Sequence, residues 1–305
     1  MKKFTLISLI TAGVMFVLGW GLLITGGVMG GVSLIKEFVT GNVFSLLGDL
    51  HGILDGFSEE FIPEEVNIDY NAAYPILEGG GVTNLQVCGR DEVTDMKIYI
   101  MSGDLDVQNS GTDDFGVDWE GVGKFQYYVE DGTLYVISTE NFGDTTVYVP
   151  EDMVYESCTL AAAAGDVFIE EMKAEEVSVY VGMSDVDIEM LETQNLILEA
   201  GKSDLQITEG NVGELTLTYD TSNIWYFGSI SGNVEVTGSM GNLEMALWGD
   251  SDQYNYFIHS TLGSIDIPGY HVVGLTQNKN INNNAGKDMT ITSSMGNIGL
   301  EFMDK

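Results

Sequence analysis

From residue 167 onward the chain sets apolar residues in pairs at i and i+2, and a new pair begins every nine or ten residues. The pairs are Val167/Ile169, Val177/Val179, Val186/Ile188, Leu196/Leu198, Leu205/Ile207, Leu215/Leu217, Ile224/Tyr226, Val234/Val236 and Leu243/Met245. Between them stand mostly polar residues, among them Ser178, Asp187, Gln206, Thr216, Glu235 and Glu244. Period-two alternation belongs to β-strands, whose successive side chains point to opposite faces. Short strands at this spacing fit a sandwich, a barrel or a solenoid. The turns choose among these.

Two kinds of turn alternate, and each returns after 19 residues. One carries "GMSDVDI" and then "GKSDLQI", with Asp166, Asp185, Asp204, Asn223 and Asn242 in a single column. The other begins at Glu170, Glu189 and Thr208 and includes Met172 and Leu191. A unit with two unlike corners is one coil of a parallel solenoid, in which equivalent residues stack one rung apart, about 4.8 Å. The fold class expected is therefore all-β, a parallel β-solenoid (β-helix) with coils of about 19 residues, most regular over 147–249. Proline agrees: Pro63, Pro75, Pro150 and Pro268 leave 151–267 free of a residue that would break a ladder. Weaker echoes such as Leu85/Val87, Ile98/Ile100, Leu105/Val107 and Leu134/Val136 extend the domain over 67–305, the early ones as wider or distorted coils. Stretches near 250–258 and 268–288, including the polar "QNKNINNNAGKD", read as insertions.

Ahead of this repeat, Phe4 to Ile35 is uncharged and follows Lys2 and Lys3. That run exceeds a secretory signal core and suffices for a membrane helix, which needs about 20 residues. The expectation is a short cytoplasmic N-terminus and a transmembrane helix over 1–35, with the C-terminal domain extracellular by the positive-inside rule. A cleaved signal peptide is the alternative. Gly26/Gly30 and Gly27/Gly31 have the G-x-x-x-G spacing that lets membrane helices approach. Residues 36–66 contain a rough helical stripe, Phe44, Leu47, Leu50, Leu54 and Phe57, suited to capping the first coil or to lying on the membrane.

Charge bounds the partners. Acidic residues number 47 against 11 basic, for a net charge of −36. Such a chain repels phosphate backbones and anionic head groups, so nucleic acid is excluded as a partner. Cations, basic proteins and neutral glycans remain. Cys88 and Cys158 lie more than three coils apart on the expected fold and should be free thiols, with Cys158 packed inward.

The lysine-initiated, Gly-rich membrane segment, "DGTLYVIS" (131–138), "TTVYVPEDM" (145–153) and the G-D-V-x-I and S-D-V-D-I rungs together resemble the bacterial "putative adhesin" family of unknown function. The resemblance covers about residues 80–300. It implies a β-helix ectodomain at the cell surface and brings no catalytic or binding residues with it.

Chemistry is harder to find. His51, His259 and His271 are scattered without metal-ligand spacing, and no nucleophile elbow of the G-x-S-x-G kind occurs. The expectation is a protein that is not an enzyme and needs no cofactor. Two features stand out as binding candidates. Asp166, Asp185 and Asp204 would stack at rung spacing, either each capping its own turn or together holding a divalent cation. Trp225, and with it Trp248, would point outward among the aromatics of 219–257, as a platform for a surface glycan or protein unless an insertion covers them. The function expected is structural or adhesive, at the cell surface and anchored in the membrane. The alternative is an envelope sensor or regulatory accessory acting through its membrane helix.

Overall fold

The computed structural model describes residues 70–78, 81–138 and 142–304. The expected membrane helix at 1–35 and the juxtamembrane segment at 36–66 lie outside them. Among the described residues no helix is long and apolar enough to cross a membrane. The described chain is all-β and solenoid-like.

Its first part contains β1 (Leu77–Glu78), β2 (Val82–Gly89), β3 (Asp95–Ile100), β4 (Leu105–Asn109), β5 (Asp114–Val122), β6 (Lys124–Glu130), β7 (Thr133–Ser138) and β8 (Phe142–Val149). The regular part follows with β9 (Tyr155–Ala164), β10 (Val167–Met183), β11 (Val186–Ala200), β12 (Asp204–Thr221), β13 (Asn223–Ile230), β14 (Val234–Met240) and β15 (Leu243–Trp248). The last strands are β16 (Tyr254–Ile267), β17 (Tyr270–Ile281) and β18 (Lys287–Met303).

The 19-residue interval is the register of the parallel ladders. Val167 pairs with Val186, Val186 with Leu205, Leu205 with Ile224 and Ile224 with Leu243. A second ladder runs Cys158, Val177, Leu196, Leu215, Val234. Each coil thus lays one strand segment in each of two ladders of one continuous sheet. The inward members of both ladders are buried and belong to one continuous hydrophobic core. Burying both rows of Val, Leu and Ile is what makes the stack stable, at roughly 25 cal/mol per Å² of apolar surface removed from water.

Outside the regular coils, chain order and stacking order part company, which corrects the expected wide early coils and late insertions. Leu105 pairs with Val167 on one side and Thr145 on the other, and Met96 pairs with Cys158 and Leu134. The coil of 95–109 is therefore slotted between those of 133–149 and 155–169. The same exchange occurs at the far end. Val234 and Leu243 pair with Met289 and Ile298 of β18, and β16 lies beyond β18. A chain segment has left the stack and returned one level short at both ends.

Each excursion is closed by antiparallel strands. β6 pairs with β7 through a turn at Asp131-Gly132, where both residues have positive φ, 50° and 81°. Asp-Gly is the preferred pair for such a type I′ hairpin. β5 runs antiparallel to β8 and to β2. β16 and β17 form a hairpin at Pro268-Gly269, with Gly269 at φ 74°. Aromatic side chains plug the core at the two ends. Trp119 stacks on Phe125 at 4.9 Å, and Tyr254 and Tyr256 pack against Phe302 at 6.1 and 6.5 Å.

Cys158 is buried, Cys88 is half-buried and both are free thiols. Burial pushes the Cys88 thiol up to about 11, helped by the nearby Glu92 and Asp114.

A candidate binding groove along the Asx ladder

The column seen in sequence as Asp166, Asp185, Asp204, Asn223 and Asn242 becomes a continuous row at one corner of the stack, exposed as far as Asn223 and half-buried at Asn242. The exchanged coils extend it with Asp104 and Asp144 at one end and Asn297 and Ser264 at the other. A tight corner precedes the row. Its column reads Gly103, Gly165, Ser184, Ser203, Ser222, Gly241 and Gly296 through successive coils. Where serine stands there, its hydroxyl turns inward and donates to a backbone carbonyl, as Ser222 does to Gly201 at 3.0 Å. Where Gly296 stands, φ is 140° and a Cβ would collide with the Gly241 carbonyl, so only glycine fits.

The ladder residues bond from coil to coil. The Asp104 carboxylate accepts the Asp166 N–H, and the Asp185 carboxylate accepts the Asp204 N–H, each at 3.0 Å. Asn223 donates to Asp204 at 2.8 Å, Asn242 to Asn223 at 2.9 Å and Asn297 to Asn242 at 2.8 Å. For Asp185 and Asp204 these contacts correct the expectation that each aspartate caps its own turn: the partner sits in the neighbouring coil. Among the described residues no group of three or more His, Cys, Asp or Glu side chains converges as a metal cluster.

Two residues further along each strand lies a second outward row, Asp106, Phe168, Asp187, Gln206, Trp225 and Glu244. Between the rows runs a groove of about 760 Å³. Eight carboxylates line it, with no lysine or arginine among its lining residues. Burial, and then the charges of Asp104 and Asp144, raise the Asp106 carboxyl above its ordinary value. Phe168 and Trp225 stand in the outer wall, three rungs apart.

The structure thus brings Asp166, Asp185, Asp204 and Trp225 to one groove. Trp225 is 37% exposed, stacked near Phe227 at 6.2 Å. Trp248 is half-buried and meets Phe227 edge-on at 5.2 Å, so it supports the aromatic patch from outside the groove. Most other aromatics of that stretch, Tyr219, Tyr226, Tyr254 and Tyr256, are core residues. Beyond Trp225 the face continues into a smaller depression of about 470 Å³ lined by Ala246, Gly299, Glu244, Asp266 and Glu301. Sequence reasoning missed Asp104, Asp106 and Asp144. The usable signal was the Gly-Asp pair at Gly103-Asp104 and Gly143-Asp144, which repeats Gly165-Asp166.

Residues 89–301 match the family model described as Toastrack DUF4097. Among solved structures, a "putative cell adhesion protein" from Clostridium sporogenes is similar, with 12% identity, a TM-score of 0.37, and coverage of 73% of this chain and 100% of that one. A "putative adhesin" from Bacteroides fragilis has 13% identity and a TM-score of 0.39, over 74% of this chain and 97% of that one. A "putative lipid binding protein" from Parabacteroides distasonis has 10% identity and a TM-score of 0.32, over 72% and 98%. No curated protein matches the chain. The family match takes in the parallel coils, their corners and the whole Asx ladder, and the chain belongs to the Toastrack DUF4097 family.

Proposed function

We propose that this is a non-catalytic surface-binding protein, held at the cell membrane by the uncharged N-terminal stretch, whose outer groove takes a ligand presenting positive charge beside a flat apolar face. The single observation that carries the reading is the groove itself: eight carboxylates in two facing rows, with Phe168 and Trp225 in the outer one. Carboxylates stacked at rung spacing repel one another, and a cationic ligand relieves that repulsion. An aromatic wall adds stacking area and cation–π attraction for a lysine or arginine side chain or an amino sugar. The net charge of −36 steers such ligands toward the surface and lowers affinity as salt rises.

The test is binding of the full-length chain, in lipid nanodiscs, to immobilised lysine-rich protein and to neutral cell-wall glycans at low and high salt. Retention of the basic protein that is lost with Asp185→Asn/Asp187→Asn and weakened by Trp225→Ala supports the groove. Equal retention by wild type and all variants, or retention only of neutral glycans, removes it.

A further inference from the structure

We infer that the β17 edge is where two copies of this chain meet, strand against strand. β17 is the last strand at its end of the stack, and among the described residues it pairs only with β16. Its other edge leaves a row of backbone N–H and C=O groups that a further strand can satisfy. The side chains there are unusually apolar for a surface. Val273 is 70% exposed and Leu275 is 76% exposed, more than any other large apolar residue described. Leu275 pairs with Leu262, Leu262 with Met295 and Met295 with Met240, and all of these are exposed. An apolar stripe therefore runs from the free edge along the side of the stack.

Charge selects the occupant. The chain carries 47 acidic residues, yet none lies between Asp266 and Asp288, a stretch that holds His271, Lys279 and Lys287. Two copies meeting at β17 bring no acid of that strand together, and the carboxylate beside it, Asp266 on β16, is held by His271 at 3.4 Å. The usual guard of such an edge is a lysine held out over it. Lys279 does not serve in that way, because its ammonium lies 4.0 Å from the centre of the Tyr270 ring. Thr276, at φ 46°, bends the strand and confines straight pairing to Tyr270–Leu275. Two such segments related by a two-fold axis pair antiparallel, an isologous contact that closes after two copies. The groove along the Asx ladder is lined by none of these residues, and the inference stands without it.

The test uses the full-length chain with Cys88→Ser and either Val273→Cys or Leu275→Cys, treated in membranes with a short thiol-reactive cross-linker. Thr216→Cys, exposed in mid-stack, reports random collision. The expected result is several-fold more cross-linked dimer from the β17 positions than from Thr216→Cys, falling to the Thr216→Cys level when Leu275→Asp is added to Val273→Cys. Circular dichroism of that variant checks that the fold is kept. Cross-linking no greater than from Thr216→Cys, or unchanged by Leu275→Asp, overturns the inference, even where the membrane segment holds two chains together.

Discussion

Asn223 donates its side-chain amide to the Asp204 carboxylate at 2.8 Å, and at that step the ladder changes from acids to amides. On one side Asn242 and Asn297 continue a relay in which every amide is donor to one neighbour and acceptor from the next. On the other side Asp204, Asp185, Asp166, Asp104 and Asp144 stand in adjacent coils with no side-chain donor among them. Like charges on neighbouring strands destabilise a sheet by a few tenths of a kcal/mol or more per pair. The amide half shows that the same corner can be built without that cost. The acidic half is thus a place where charge is kept against the interest of stability, as binding surfaces commonly are.

Asp185→Asn should therefore stabilise the protein. The new amide nitrogen would donate toward Asp166, while its oxygen would still accept the Asp204 N–H that now bonds the carboxylate at 3.0 Å. A gain of about 0.5 kcal/mol is expected at low ionic strength. Added salt should shrink it by screening the repulsion that the substitution relieves. A Tm by thermal circular dichroism that is unchanged or lower at low salt would count against the ladder being electrostatically loaded.

Gly238 meets Tyr219 across β12 and β14, and a Cβ at 238 would lie 2.0 Å from Cζ of the tyrosine ring. Tyr219 is 2% exposed, so the ring cannot swing into solvent without opening the core. Gly238→Ala should cost about 1–3 kcal/mol through overpacking. Adding Tyr219→Val, which removes the ring, should cost less than the two single losses combined. Strict additivity in chemical denaturation would mean that the two residues do not compete for the same space.

The regular coils were legible because each apolar pair stacks on a copy of itself 19 residues away, so a local pattern and a tertiary contact coincide, as at Val167 and Val186. The ends were not. Met96 pairs with Leu134 and Cys158, and Val234 with Met289, intervals that no local repeat announces. Their turns were nevertheless written plainly, in Asp131-Gly132 and Pro268-Gly269. β17 reads as part of a polar insertion because Gln277 to Asn280 are all polar, so the alternation of their burial at the sheet edge leaves no apolar pattern in the sequence. For the groove, the aspartate column and Trp225 could be read from spacing. The three acids supplied by exchanged coils carried a corner signal in Gly103-Asp104 and Gly143-Asp144, but their level in the stack followed only from the stacking order.

High pH should unfold the protein in a way that tyrosine reports. Burial raises the Tyr99 and Tyr254 hydroxyls from the ordinary 10.0 to about 12. Tyr155 and Tyr226 are pushed further in the same direction. A hydroxyl whose value is higher folded than unfolded favours the fold fully below 10.0, and that contribution is lost as pH rises from there through about 12. Tyrosinate absorbance should therefore rise in two parts: exposed residues near the ordinary value, then the buried set together with loss of the β-sheet dichroism. Complete ionisation at pH about 10, with the dichroism intact, would show that these hydroxyls are not held from water.

Trp119 and Trp225 separate fold from function. Trp119 is 1% exposed and stacks on Phe125 at the closed end of the core. Trp119→Ala should cost about 3–5 kcal/mol, the range for a buried large aromatic. Trp225 is 37% exposed, points away from the core, and its ring lies 6.2 Å from that of Phe227. Trp225→Ala should cost clearly less than Trp119→Ala, losing an aromatic pair of about 0.5–1.5 kcal/mol and only part of a ring's burial. A large ring left more than a third exposed at the wall of an acidic groove is poor use of its apolar area for stability, and that is the physical ground for assigning it to a ligand. Should chemical denaturation show Trp225→Ala to be as damaging as Trp119→Ala, the indole belongs to the core's support, and the groove loses the aromatic wall on which the binding proposal depends.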